Sequence, residues 1–339
     1  MEPYYYSTLS KAQQNTYHAI KAGLQSLASS FFVPLLERKE LSEVFTKVRL
    51  DHPRLFYAGT FQYRYFPDSG NAEMIPDYLF EKGKIKDHQK ALGARVEKLA
   101  RPAAKGSDME KLLYIHDFIC QNVRYDKLKK QYSHEIIGPL GHGVGVCEGI
   151  AKAVKVLCDA LDIWCVIALS ENNPEKGVKY RHAWNIVRMD KKYYHLDCTF
   201  DNSLGKPEEI RYDYFLLPDQ QIFRDHERLV WKMPACEDGD RFYYKEKKLS
   251  FTKMEDVRKR SAQAVKKGKP LLFHWRGGYM TREIVQEFLQ IFKEEGAKKE
   301  RYAKVSLNWA QAVVRVEFME QAPLEELTME EANEGEKDE

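Results

Sequence analysis

Three side chains in this sequence have the types and spacing of an acyl-transfer nucleophile with its base and its orienting acid: Cys147, His182 and Asp197. Cys147 lies in "GHGVGVCEGIAKAV", where three glycines crowd the approach and an apolar-periodic segment opens at the thiol. A helix starting there presents partial positive charge that favours thiolate over thiol, and backbone N–H groups that can hold a developing oxyanion. Gly141, Gly143 and Gly145 are expected to let the backbone turn sharply and come close to a substrate. The loop matches neither GxxxxGK[ST] nor GxGxxG, so the common phosphate-binding motifs are excluded.

A reactive cysteine needs a base, and the base needs a group that orients it. "HAWNIVRMDKKYYHLDCTF" reads as a hairpin turning at Asp190-Lys191. That register sets His182 opposite Thr199 and Trp184 opposite Asp197, which makes His182 and Asp197 diagonal neighbours on one face, about 7–8 Å apart at the backbone. The other face carries Ala183, Val187, Met189, Leu196, Cys198 and Phe200 and reads as core. His195 shares the polar face and competes with His182 as base. Cys120, Cys158, Cys165, Cys198 and Cys236 sit in apolar surroundings and read as buried thiols. His142, five residues before Cys147, hints at a metal, but no CxxC or HExxH motif supports one, so neither metal nor cofactor is expected.

Around these residues the patterning predicts an ordered series of elements. Helices are expected over 8–28 and 36–48, a short aromatic hairpin between 54 and 80, and helices over 86–100 and 109–122, the last capped by Ser107 or Asp108. Residues 123–146 lack a period and read as the loop delivering Cys147. A helix over 147–161, the strand "WCVIALS" and the hairpin follow. Beyond a boundary near "CEDGDRFY" come a helix over 253–267, the strand "PLLFHW", a helix over 281–295 and two strands within 302–319. The expected division is an N-terminal helical and hairpin region (1–105), a core carrying the chemistry (106–235), a small α/β domain (236–322) and an acidic disordered tail (323–339).

Composition narrows the setting. The chain has 339 residues, 43% of them hydrophobic and 31% charged, with a net charge of +3, which excludes collagen-like and largely disordered chains and gives no nucleic-acid signature. No run of about 18 apolar residues and no leader pattern occurs, so no membrane partner is expected and the reading is cytoplasmic. Six cysteines without a CxxC pair form neither a disulfide framework nor a zinc ribbon.

Three blocks in order resemble the transglutaminase-like superfamily, in the form of its bacterial-type members. "GVCEGIAKAVKVLCDALDI" resembles the family's nucleophile helix, "HAWNIV" its histidine strand and "YYHLDCTF" its aspartate strand; upstream, "YIHDFICQNVRYD" is similar to the segment that precedes the nucleophile. The resemblance covers roughly residues 107 to 218. It implies an α+β, papain-like core in which the nucleophile helix packs on an antiparallel sheet, with Cys147 as nucleophile, His182 as base and Asp197 as the group orienting the imidazole. One departure is Cys198, where the family often has proline. The family also commonly completes its oxyanion hole with an upstream side chain, for which Gln131 and Tyr132 are the candidates. The activity implied is thiol-dependent acyl transfer on amide bonds of a protein or peptide substrate, most simply hydrolysis through a thioester. Protein-glutamine transglutamination and a catalytically silent binding module are the alternatives.

Overall fold

The computed structural model describes residues 3–321, so the acidic segment expected over 323–339 lies outside the described residues. The chain forms two compact units, one holding the residues up to Ile210 together with Glu227–Ala235, the other Arg211–His226 together with the residues from Cys236 onward.

The first unit opens with α1 (Tyr4–Ser7) and α2 (Lys11–Gln25). A single helix over 8–28 was expected; Ser10 instead starts a new one, its hydroxyl accepting from Gln13 N while the Gln13 side chain accepts from Ser10 N. Next come β1 (Phe31–Pro34), α3 (Arg38–Asp51) and the hairpin β2 (Ala58–Phe66) and β3 (Asn71–Tyr78), with strand order β1-β3-β2. The aromatic hairpin matches the sequence expectation. β1 does not, because a four-residue apolar run carries no readable alternation.

α4 (Lys82–Ala100) and α5 (Asp108–Asn122) precede the site. Ser107 caps α5 in the reciprocal arrangement with Glu110 that its sequence invites, worth about 1 kcal/mol. The segment expected to be a loop contains two short parallel strands, β4 (Arg124–Tyr125) and β5 (Val144–Gly145), joined through helical turns at Gln131–His134 and Gly138–His142. α6 (Cys147–Ala160) begins at the thiol and buries Ile150, Val154 and Leu157. It packs against the antiparallel strands β6 (Cys165–Leu169), β7 (Ala183–Met189) and β8 (Lys192–Leu196), in the order β6-β7-β8. This helix packed on an antiparallel sheet is the α+β, papain-like arrangement expected for the core. Asn185 of β7 pins the two layers, donating from Nδ2 to the Ala151 carbonyl at 3.0 Å.

The β7–β8 register is the expected one, from Met189↔Lys192 to Asn185↔Leu196. Asp190 and Lys191 form the turn with φ of 52° and 65°, the left-handed pair that suits the twist of a two-residue hairpin. The ladder stops at Leu196, however, and Cys198–Leu204 form α7. The extended reading of Cys198 and Phe200 is therefore corrected: Asp197 Oδ1 accepts from Thr199 N (2.8 Å) and Phe200 N (3.1 Å), and an aspartate so placed nucleates a helix. The split between a core face and a polar face also fails. Trp184, Ile186 and His195 are as buried as Val187 and Leu196.

The second unit contains β9 (Phe215–Leu217), α8 (Asp219–Ile222), α9 (Tyr243–Glu246), β10 (Ser250–Phe251), α10 (Met254–Lys267), β11 (Leu271–Trp275), α11 (Arg282–Ala297), β12 (Tyr302–Asn308) and β13 (Val313–Met319). From β11 onward this is the expected strand, helix and strand pair, and α10 matches the helix expected before it. Strands β10-β11-β13-β12 share one sheet with only β10 and β11 parallel, packed around Phe273, Phe288, Phe292 and Val316. Arg211–His226 joins this unit through Asp213. Its carboxylate accepts from Arg211 Nε and Nη2 (3.1 and 2.6 Å), from the Tyr244 hydroxyl (2.8 Å) and from Asn308 Nδ2 (3.0 Å).

Candidate active site

Cys147 is the first residue of α6, and its N-cap, Val146, supplies no side chain to the opening turn. The first amides of a helix have no intrahelical partner, so the backbone beside the thiol presents donors. The thiol is partly accessible, whereas the other five cysteines are buried, as the sequence suggested.

The Gln131–His134 turn fixes the helix start. Val146 N donates to the Ser133 carbonyl at 3.1 Å, and a Cβ on Gly149 would stand 2.1 Å from the same oxygen. Only glycine admits that approach. Gly143 sits in the left-handed region at φ 66°, ending the turn before β5. Gly149 thus seats the helix, and Gly143 supplies the sharp turn expected of the glycines before Cys147. Gln131 is exposed, and the Tyr132 ring lies 4.8 Å from the His142 ring.

His182 immediately precedes β7. Its backbone N–H donates to Ser170 Oγ at 3.0 Å and its carbonyl accepts from Ser170 N at 2.9 Å, so the end of β6 holds the residue on both sides. Its ring lies between Trp184 (5.6 Å, stacked) and Phe200 (4.9 Å, tilted), and its side chain is 20% exposed. His182 Nε2 meets Asp197 Oδ2 at 2.6 Å, and Asp197 is fully buried. Burial works to lower the His182 pKa; the charge and hydrogen bond of Asp197, with a hydrogen bond and charge from Cys147, outweigh it and raise the value to about 10.

The structure therefore brings Cys147, His182 and Asp197 together, and Asp197 serves two elements with its two oxygens. Oδ1 caps α7 and Oδ2 holds the imidazole. His195, the competing base, is excluded. It is fully buried, and its Nδ1 accepts from Trp184 Nε1 at 2.9 Å.

Two charged clusters next to these residues escaped the sequence reading. Glu148, directly after Cys147, pairs with Lys152 (2.7 Å) and lies 3.4 Å from His134 Nδ1; the fully buried Lys152 also binds Glu135 Oε1 (2.7 Å), which Arg49 contacts. Burial would raise the Glu148 pKa, but Lys152, His134 and Arg49 hold it well below the usual carboxylate range. Two cations and two carboxylates thus balance beneath the helix start. The visible signal was Glu148 and Lys152 at i, i+4 in an otherwise apolar helix.

The second cluster is His116, fully buried on α5. Its Nε2 meets Asp201 Oδ2 at 3.0 Å, its Nδ1 lies 3.3 Å from Asp117 Oδ1, and the Cys120 sulfur is 3.7 Å away. Asp201 lies on α7 one turn beyond Asp197, so this pair ties the helix capped by Asp197 to α5.

Residues 95–198, under a third of the chain, match the family model of the transglutaminase-like superfamily, and this segment is a transglutaminase-like core. Among solved structures, similar chains include a TGase (13% identity, 50% of each chain covered, TM-score 0.28) and a candidate cysteine protease from Cytophaga hutchinsonii (15% identity, 41% of this chain and 61% of that one, TM-score 0.27). A third is menin, whose crystal structure reveals the binding site for Mixed Lineage Leukemia protein (15% identity, 62% of this chain and 52% of that one, TM-score 0.27). The matches span between 50% and 61% of those chains' own lengths. No curated protein matches the sequence. No helix among the described residues is long and apolar enough to cross a membrane.

Proposed function

We propose that this protein is a thiol-dependent amidase or peptidase in which Cys147 is the nucleophile, His182 the acid and base, and Asp197 the group that fixes and charges the imidazole. The observation that carries the reading is a partly accessible thiol at a helix start, hydrogen-bonded to an imidazole whose other partner is a buried carboxylate.

Asp197 engages Nε2, so proton exchange with Cys147 runs through Nδ1 of His182. The Cys147 sulfur attacks the carbonyl carbon of an amide, forming the C–S bond, while the oxyanion rests on backbone N–H groups of the α6 first turn. Collapse breaks the C–N bond, His182 delivers its proton to the departing amine, and a thioester remains. Water then adds to the thioester carbonyl, giving its proton to His182 and releasing the acid and the thiolate. Hydrolysis is preferred to transamidation because water is always present, whereas an amine acceptor requires a second, water-excluding site.

The test is selective alkylation. At pH 6 iodoacetamide should carboxamidomethylate Cys147 alone among the six cysteines, as read by peptide mass spectrometry, and Cys147→Ala should remove both the label and any amidase activity. Labelling spread evenly over the cysteines, or activity retained in Cys147→Ala, would refute the assignment. An added primary amine that captures the acyl group faster than water would identify a transamidase instead.

A further inference from the structure

A cleft of about 440 Å³ opens in the second unit between α10 and the segment that enters β10. One edge of α10 supplies Asp256, Lys259, Arg260 and Gln263, spaced i, i+3, i+4 and i+7, while another side of the helix buries Val257, Ala264 and Val265 in the core of the unit. The other wall begins at Lys248, which closes the turn after α9. Lys248 N donates to the Lys245 carbonyl at 3.0 Å and Leu249 N to the Tyr244 carbonyl at 2.7 Å. Lys248 itself takes a φ of 54°, the left-handed position at which glycine commonly ends a helix. Phe251, 6% exposed, gives the cleft an apolar wall.

Among the described residues Lys248, Lys259 and Arg260 form no ion pair, although Glu255 stands one turn before Lys259 and Asp256 one turn before Arg260. The neighbouring Arg241 and Arg258 are engaged, by Glu246 at 3.1 Å and by Glu294 and Glu295 at 2.6 and 3.2 Å. Three cations less the Asp256 carboxylate leave the cleft with an excess of two positive charges. Cations in a concavity with an apolar wall focus their field more than the same charges on a flat helix face. The volume suits a small molecule. A planar guanidinium fork and two ammonium groups match the oxygens of a phosphate. The Ser250 hydroxyl is already engaged with His274 Nδ1 at 2.8 Å. Asp256 repels a bare anion and favours one that also brings hydroxyl donors, and the Gln263 amide can donate and accept beside it.

We propose that this cleft binds a small phosphorylated polyol of the sugar-phosphate kind, with Lys248, Lys259 and Arg260 on the phosphate and Asp256 and Gln263 on the hydroxyl groups. The proposal does not depend on the assignment of Cys147, and neither falls with the other.

Titration calorimetry on the full chain at low salt compares ribose 5-phosphate, inorganic phosphate and ribose. Ribose 5-phosphate should bind with a Kd of about 1 mM or tighter and at least about tenfold more tightly than phosphate, and ribose should give no binding heat. Lys259→Gln combined with Arg260→Gln should weaken ribose 5-phosphate at least about tenfold. Lys266→Gln combined with Lys267→Gln removes the same charge from α10 outside the cleft and should leave the affinity within about twofold. Asp256→Asn should tighten phosphate and narrow the gap between the two ligands to less than about threefold, a gain that misfolding cannot produce. Absence of ribose 5-phosphate binding, an equal loss in the two double variants, or an unchanged gap in Asp256→Asn would overturn the proposal. Phosphatidylcholine vesicles containing phosphatidylinositol 4-phosphate form the last arm. Retention on these vesicles with no response to ribose 5-phosphate would assign the phosphate to a lipid headgroup and overturn the sugar-phosphate reading.

Discussion

Asp197 concentrates the chemistry of the site in one carboxylate, and its two oxygens can be tested separately. In Asp197→Asn the side-chain oxygen still caps α7, because asparagine is as good an N-cap as aspartate. The amide N–H₂ would then donate to His182 Nε2, forcing the imidazole proton onto Nδ1 and removing the charge that stabilises imidazolium. Amidase kcat/KM should fall by about 10³–10⁴, and activity within tenfold of wild type would contradict the role given to Oδ2. Asp197→Ala loses the cap as well and should cost about 1 kcal/mol more of stability. The raised His182 pKa also sets a pH dependence. The protonated imidazole persists across the neutral range, so kcat/KM should decline on the alkaline side near pH 10. In Asp197→Asn that limb should move toward pH 6.5, the ordinary histidine value.

At the scale of elements, α7 connects the site to the core. His116 on α5 and Asp201 on α7 are both fully buried and paired, and removing one partner strands the other, at a cost of about 3–5 kcal/mol. Burial alone would lower the His116 pKa; Cys120, Asp117 and Asp201 outweigh it and raise it well above the ordinary value. A histidine with a raised folded-state value contributes stability that is complete below about pH 6.5 and fades as pH rises toward that value. Chemical denaturation at pH 6 and pH 9 should therefore show wild type losing stability with pH, and His116→Gln losing markedly less over the same interval. Equal losses would mean that His116 is not charged in the fold. The sequence made several elements legible because each carries local chemistry: the Ser107 cap, the Asp190-Lys191 turn and the helix opening at Cys147. It hid α7 because "DCTF" continues an alternating strand pattern, and only Asp197, acting as a cap, ends that strand. It hid the His116–Asp201 pair because 85 residues separate the partners and each alone looks like an ordinary polar side chain.

For the whole molecule, the division into two units depends on side chains that no local pattern announces. Asp213 accepts from Arg211, Tyr244 and Asn308 and so holds Arg211–His226 to segments much later in the chain. Asp213→Ala should raise amide hydrogen exchange across 211–226, 243–251 and 302–319, measured by mass spectrometry. Protection unchanged in those peptides would show that the clasp is dispensable. The first unit has a similar late dependence. Val230 N donates to the Leu169 carbonyl, Glu171 N to the Arg228 carbonyl, and Trp231 packs edge-on against Tyr5. Leu169 and Glu171 flank Ser170, whose hydroxyl holds the His182 amide. During synthesis, therefore, Cys147, His182 and Asp197 all leave the ribosome before the segment that braces the end of β6. At 5–20 residues per second the growing chain carries the thiol for roughly several seconds before residue 235 is made. A newborn chain should stay inert toward amides until then, a built-in delay set by the order of the polypeptide.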